Sequence, residues 1–531
     1  MKSYIKFLCL ILVCAFLNAQ AVFAIENTEE KKQSVFTFVK EKIKFGKDKT
    51  KTKKVKKEKK KAHVAEIKLP EVKEEGAINN KFKIMTVDDC VSYTLQHNPN
   101  LQVSESKINV EEYGIKIQRA NYTPRFSAKV NYGHNTNNGT RIVNSHENSL
   151  GVNLGVSELI WDFGKTTAKI NMSKYKTLAV EYDHETEVLK AIYDVKINYF
   201  KVLASLANID VLEENVNINA LNYDRVKAMY EEGLKSKIDM VNAEVNLTDA
   251  KIKLTEGQNT LEASLIDLKN SMYWVEDGDF LVQNTEEFNF LKPNYNEKIE
   301  NLENFEPKKP EAIKDEEGMI TLSAGIERKN IIKDYSFKPF EITKKEAVEK
   351  ALEGRPDLKS LNMLIDVQEE SLSAIKKQYA PEITADLNWG YTKNESTYSS
   401  PLTVGAGVGL GSVNPYKIHH EIKQGEEYLN IAYHNYNISK ADIFWEVQTN
   451  YVNMRQLEKK IPLMNEKVKA TLENFELADG RYNVGLNNYI ELQDALTNYN
   501  NSQRNFIEAV FNYNVARETL LKSMGVRWEK N

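Results

Sequence analysis

Four stretches of the chain alternate apolar and polar residues with a period of two, the signature of strands with unlike faces. Phe126, Ala128, Val130 and Tyr132 alternate with Ser127, Lys129 and Asn131; Leu150, Val152, Leu154 and Val156 alternate with Gly151, Asn153, Gly155 and Ser157. Further on, Ile383, Ala385, Leu387, Trp389 and Tyr391 alternate with Thr384, Asp386, Asn388 and Gly390. Leu402, Val404, Ala406, Val408 and Leu410 do so with Thr403, Gly405, Gly407 and Gly409. Each run is about eight to ten residues, the length a tilted membrane strand needs. The apolar face suits lipid, with Trp161, Trp389 and Tyr391 as interface aromatics, and the small, hydrophilic face suits a wet lumen. Gly133–Ser149 and Thr392–Pro401, rich in Asn, Ser and Thr, predict long loops. The same alternation also fits two amphipathic hairpins on a soluble core. Four strands cannot close a barrel, and lipid tolerates no open edge, so a membrane reading requires several copies to share one barrel.

The remaining pattern is helical. Lys165 to Glu232, 68 residues, contains neither proline nor glycine. At roughly 1.5 Å per residue it would span about 100 Å, wider than any globular core. Periodicity sustained over such a length predicts coiled-coil or helical-repeat packing. The chain then shows itself to be one unit written twice. Thr86, Leu95, Pro99, Leu101 and Tyr122-Thr123-Pro124 meet Thr343, Leu352, Pro356, Leu358 and Tyr379-Ala380-Pro381 at a constant offset of 257. Asp194–Tyr199 meets Glu446–Tyr451, Tyr230–Leu234 meets Tyr482–Leu486 and Ser271-Met272 meets Ser523-Met524, all at 252. Each copy predicts a short helix capped by Thr86 or Thr343, with an acidic residue at the third position. A helix opening at Pro99 or Pro356 follows, with Asn98 as its cap in copy one. Two strands, a very long helix, a Gly-Leu break and a last helix of about 35–40 residues complete the unit. Pro462 inside the second long helix predicts a kink or break.

The ends add a compartment. Lys2 and Lys6 precede an apolar run, Phe7 to Phe16, then two small-residue cleavage patterns, Ala19-Gln20-Ala21 and Val22-Phe23-Ala24. This is a secretory signal peptide, too short for a spanning helix. Cys9 and Cys14 leave with it, so Cys90 alone remains and no intrachain disulfide is possible. After the signal no segment approaches 18 continuous apolar residues, which excludes a helical membrane span. Ten lysines crowd residues 47–61. With the signal at +2, residues 25–85 at +9 and the whole chain at −4, residues 86–531 carry about −15. A Lys-rich arm on an acidic body reads as a disordered linker, either plain or docking on anionic lipid or cell-wall polymer. An exported acidic body makes nucleic acid a poor partner. The expected organisation is signal 1–24, linker 25–85, first repeat 86–275, intervening segment 276–342 and second repeat 343–531.

These residues resemble the TolC-like outer-membrane efflux proteins over about residues 86–275 and 341–527. The marks are Asn98-Pro99-Asn100-Leu101, Tyr-x-Pro before a strand, Trp161-Asp162-Phe163-Gly164-Lys165 after one, and Tyr-x-x-Gly-Leu at each hairpin tip. The resemblance implies a mixed α and transmembrane-β fold: a homotrimer whose four strands per subunit make a twelve-stranded barrel on an α-helical barrel. It implies an outer-membrane exit channel for efflux or type I secretion, with its helices in the periplasm. Its tips, Gly233, Leu234, Val484, Gly485 and Leu486, would meet a periplasmic adaptor on an inner-membrane transporter. The family's periplasmic gate maps onto Glu491 and Asp494, six and nine residues after Gly485; copy one has Asp239 and Asn242 there. Tyr482 and Asp239 match its closing network, while Asn487 stands where an arginine is expected. A carboxylate ring at a constriction favours cations, whereas acids in a first helical turn are also favoured simply by the dipole. The family places residues 276–342 in a belt around the middle of the tunnel.

No catalytic constellation accompanies this pattern. His-Glu-x-x-His, paired cysteines, a P-loop and Gly-x-Ser-x-Gly are all missing. His419 and His420 are adjacent and diverge on a helix, with His434 far along, so neither a metal nor a cofactor is expected. The 26 tyrosines fall at helical spacing and read as packing. The competing readings are an exported coiled-coil scaffold or adhesin, needing no lipid-facing strands, and an exported hydrolase, for which no nucleophile and base are in place.

Overall fold

The computed structural model describes residues 83–137, 145–276, 280–288, 311–314, 320–323, 335, 337–394, 397–411 and 413–527. The signal peptide and most of the Lys-rich linker lie outside the described residues. The chain divides into two units. The first holds the strands and their flanking helical turns; the second holds the long helices and the short elements packed on them. In chain order the elements are β1 (Lys83–Met85), α1 (Val87–His97), α2 (Pro99–Arg119), β2 (Arg125–Asn137), β3 (Ser145–Trp161), α3 (Lys165–Glu231) and α4 (Lys237–Met272). There follow β4 (Phe280–Val282), β5 (Glu311–Lys314), β6 (Ile320–Ser323), α5 (Lys344–Gly354), α6 (Pro356–Lys376), β7 (Glu382–Asn394), β8 (Tyr398–Ser399), β9 (Leu402–Gly409), α7 (Pro415–Asn483) and α8 (Tyr489–Ser523). Helix, helix, strand, strand, long helix, helix thus recurs in each half.

In the first unit β2, β3, β7 and β9 pair antiparallel in that order, with the two-residue β8 beside the end of β7. The register aligns alternate residues into rows: Phe126, Val156, Leu387 and Val404 form one, Ala128, Leu154, Trp389 and Leu402 the next. The opposite face carries Ser127, Gly155, Asn388 and Thr403 in register. Gly155 has a steric reason there, since a Cβ would lie 2.6 Å from Asn388 Oδ1 and 2.7 Å from Ser127 Oγ. Ile160 is bypassed where the β3–β7 register shifts between Leu159 and Trp161, a bulge that bends the strand at its end. β2 and β9 are the sheet's free edges. The loops are shorter than the sequence suggests: pairing continues to Asn137 opposite Ser145, because ladder bonds need only backbone and the polar residues there have no lipid face to satisfy.

The flanking turns explain the motifs. Buried Asp162 accepts from the Thr166 N–H at 2.7 Å and the Gly164 N–H at 3.2 Å, capping α3. Tyr122 of the Tyr-x-Pro motif donates its hydroxyl to the same carboxylate at 3.2 Å. Phe163 and Gly164 both take positive φ, turning the chain from strand to helix. Lys165 pairs with Glu382 at 2.8 Å.

In the second unit the helices are knitted by heptads. Val447, Met454, Ile461, Val468, Phe475 and Tyr482 of α7 are each spaced by seven and nearly fully buried. Val195, Val202, Ile209 and Val216 do the same on α3, and Leu254, Leu261 and Leu268 on α4. A strict repeat of 3.5 residues per turn keeps one seam facing its partner only if the helices supercoil left-handedly. Gly257 sits in this seam, where a Cβ would come 2.5 Å from Leu212 Cδ1. A second heptad set faces outward: Ile238, Val245, Ile252 and, past Asn259, Ile266 on α4, and Ile431, Ile438, Trp445 and Val452 on α7.

One expectation is narrowed and one needs correction. Of the kink or break expected at Pro462, the break does not occur: α7 runs unbroken from Pro415 to Asn483. Buried Ile461, with Met454 and Val468 a heptad away on either side, anchors the helix across the missing hydrogen bond. The last residues of the linker are also ordered. β1 pairs parallel with β4, Met85 is buried, and the Tyr199 hydroxyl donates to its carbonyl at 3.1 Å. Thr86 caps α1 in a full capping box with Asp89, as its sequence spacing predicts. Asn98 accepts from the Asn100 N–H at 2.9 Å.

Candidate functional site at the hairpin tips

Each long helix ends by the same device. Gly233 takes φ +77°, its N–H bonds the Tyr230 carbonyl at 2.9 Å, and the Leu234 N–H reaches back to Met229 at 2.8 Å. Gly485 repeats this with φ +74°, bonding Tyr482 at 3.0 Å while Leu486 bonds Arg481 at 2.8 Å. This is a Schellman ending, and its left-handed residue explains the glycine of Tyr-x-x-Gly-Leu. The residue after each glycine is thrown outward, leaving Leu234 and Leu486, with Val484 just before the second glycine, among the most exposed apolar side chains.

The return helices start within three residues. Ser236 caps α4: its Oγ accepts from the Asp239 N–H at 3.3 Å and donates to Asp239 Oδ2 at 2.8 Å. Asn488 caps α8, accepting from the Glu491 N–H at 2.8 Å. Asp239 and Glu491, two of the candidate gate acids, therefore hold capping positions. Asp494 lies exposed one turn beyond Glu491, and Asn242 is exposed at the matching place on α4. Ser236→Ala is expected to cost about 1 kcal/mol of stability, read from the midpoint of chemical denaturation.

Tyr482 is buried, and among the described residues its hydroxyl finds no hydrogen-bond partner; it makes no bond to Asp239. Burial pushes its pKa up to about 12 against an opposing pull from Arg225. Its ring meets Tyr489 edge-on at 6.1 Å and lies 5.0 Å below the Lys235 ammonium. Tyr489 in turn accepts from Asn246 Nδ2 at 3.2 Å, and burial raises its pKa as well.

The sequence reading missed the group that ties the two tips together. Arg225 of α3 reaches Asp479 at 3.0 Å and Asn483 at 2.6 Å, both on α7, with guanidinium and carboxylate each more than four-fifths buried. One signal was present: Arg225 is the sole arginine of α3, whose other cations are all lysine. A single Nη1 serves both acceptors, and a weakly hydrated guanidinium costs less to bury there than a strongly hydrated ammonium. Among the described residues no helix is long and apolar enough to cross a membrane, and no group of three or more His, Cys, Asp or Glu could hold a metal ion.

A sheet with one continuous apolar face, joined in one chain to heptad-packed hairpins, defines the class of outer-membrane channel proteins built from strands and long helices. The outer membrane efflux protein family matches the chain twice, over residues 90–272 and 347–526, and the chain belongs to that family. It is a protein of the outer membrane. It is similar to Toxin and drug export protein A of Aggregatibacter actinomycetemcomitans, 21% identical over 83% of this chain and 87% of that protein. A shorter match, 35% of this chain and 43% of the relative, is 21% identical to Outer membrane protein TolC of Vibrio cholerae. Among solved structures, the CmeC outer membrane channel of Campylobacter jejuni aligns with a TM-score of 0.63 at 16% identity, covering 83% of this chain and 85% of that one. CusC aligns at 0.65 and 14% identity, covering 86% and 95%.

Proposed function

We propose that three copies of this chain close one twelve-stranded barrel and one helical tunnel, forming the exit channel of a tripartite efflux or type I secretion system. The observation that carries this reading is the four-stranded sheet with a lipid-compatible face and two unpaired edges. In hydrocarbon an open edge is prohibitive, so β9 of one copy must meet β2 of the next. The outward heptads of α4 and α7 support the same closure, because each is a coiled-coil seam awaiting another helix. The number three and the periplasmic placement of the helices come from the family resemblance.

In this reading the exposed Leu234, Val484 and Leu486 dock a periplasmic adaptor that links the channel to an inner-membrane transporter. Glu491 and Asp494, repeated around the axis, make an acidic constriction that admits cations and closes the resting channel. Substrates cross without chemistry, driven by the pump. Conductance of the purified protein in planar bilayers tests the channel and gate separately. Small, cation-selective openings are expected, growing severalfold in Glu491→Ala/Asp494→Ala. Openings unchanged by the double substitution reject the gate; no conductance from a folded, detergent-extracted oligomer rejects the channel.

A further inference from the structure

The two halves of the chain treat one junction differently. In the second half the α5–α6 junction is sealed by Arg355, whose guanidinium pairs with Asp357 at 2.7 Å and also binds Glu446 of α7. It reaches the Ser523 carbonyl at 3.5 Å as well. The junction lies so close to the end of α8 that a Cβ on Gly525 would come 2.9 Å from the Arg355 backbone. Gly525 is accordingly a glycine, with φ +66°.

The offsets of 257 and 252 carry these positions onto the first half: Arg355 to Asn98, Asp357 to Asn100, Glu446 to Asp194 and Gly525 to Tyr273. The carboxylate is kept, but the guanidinium is gone. Tyr273 holds the same left-handed conformation, φ +53°, which a tyrosine adopts only at a cost. Its hydroxyl accepts from Asn100 Nδ2 at 2.7 Å, so here a side chain rather than the backbone ties the end of α4 to the junction. Between them lies a cavity of about 510 Å³, lined by Asn98, Asn100, Asp194, Asn198, Asn270 and Tyr273 among others. Glu187 and Asp267 add carboxylates, Asp267 already paired with Lys201 at 2.7 Å, and Lys190 is the single cation of the lining. No arginine lines it.

We infer that this first-half cavity binds a guanidinium group from outside the chain, on a small organic cation or an arginine side chain, in the place Arg355 fills in the second half. The lining offers groups a planar fork can use: the Asp194 carboxylate, which also lies within electrostatic reach of Lys522 and Lys190, the side-chain amides of Asn98, Asn198 and Asn270, and a tyrosine hydroxyl. Volume and charge agree, since the cavity exceeds one side-chain head and its acids outnumber its lysine. The reading does not depend on conductance, so it stands or falls apart from the channel proposal.

Calorimetric titration of the full chain in detergent with agmatine, against urea as a planar uncharged control, is the test. Saturable agmatine binding without urea binding is expected, weakened at least about tenfold in Asp194→Asn, the worth of one charge-assisted hydrogen bond. Asn98→Arg/Asn100→Asp, which copies the second half into the first, is expected to abolish binding and raise the Tm. Cross-linking in cells from a photoreactive residue at Asn270 separates the sources. A protein adduct suppressed by agmatine assigns the guanidinium to a side chain, and no adduct assigns it to a free cation. The inference is overturned by absence of binding to folded protein at about 10 mM agmatine, a concentration that nearly saturates even a site of about 1 mM Kd. Equal urea binding, or Asp194→Asn behaving as wild type, overturns it as well.

Discussion

Replacing Arg225 by alanine is expected to lower the free energy of unfolding by about 3–5 kcal/mol, the largest effect of any single polar substitution at the tips. The guanidinium is shielded from water, and its removal takes a cation from the equally shielded Asp479 carboxylate while Asn483 loses its donor. The penalty is the desolvation cost of a buried charge that has lost this partner rather than the strength of the lost pair. Arg225→Met/Asp479→Leu, which removes both charges and keeps the volume, is therefore expected to recover most of it. Denaturant titration of the detergent-solubilised protein reads both. Because the pair joins the end of α3 to the end of α7, the single substitution is also expected to enlarge the openings that the proposed channel would show in planar bilayers. A drop below about 1 kcal/mol would mean that the pair is solvated and does not tie the tips.

Alkaline pH should act at the neighbouring residue. Tyr482 has an ordinary value of 10.0 when unfolded and is pushed up to about 12 in the fold by burial, with Tyr489 and Asp239 adding to the rise and Arg225 opposing it. The folded state thus holds this proton more tightly than the unfolded state. Its contribution is fully present below pH 10 and is lost as pH climbs from about 10 to about 12, amounting to about 2–3 kcal/mol. Tyr482→Phe removes that slope. At neutral pH it is expected to be neutral or stabilising by about 1 kcal/mol, because the hydroxyl it deletes is buried without a partner. A Phe variant with the same alkaline transition as wild type assigns the slope to other tyrosines.

The strands were legible because lipid imposes a strict period of two, and all four appear within a few residues of the expected positions. The long helices were legible from length and the absence of breakers. Their one interior proline, Pro462, does not break α7, since propensity is local while the heptad around it is not. Asn98, Thr86 and the tip glycines announced their roles through spacing, because caps are made by residues three or four apart. Arg225, Asp479 and the β1–β4 pair were not legible, as each depends on residues some 200 positions distant that the fold alone brings together. The candidate gate acids lie between these cases. Glu491 and Asp239 were marked by the family resemblance, and the structure gives them a capping role at once.

The free edges of β2 and β9 have a consequence for how the protein comes to exist. A solitary copy has nowhere in a bilayer to go, since each orphaned N–H or C=O there costs several kcal/mol. The membrane itself thereby acts as a proofreader, accepting only sheets whose edges have found partners. A copy with sound helices and a spoiled β9 would still be recruited through its coiled-coil seams and would then spoil its companions, so lesions in that short strand should be dominant over the intact allele.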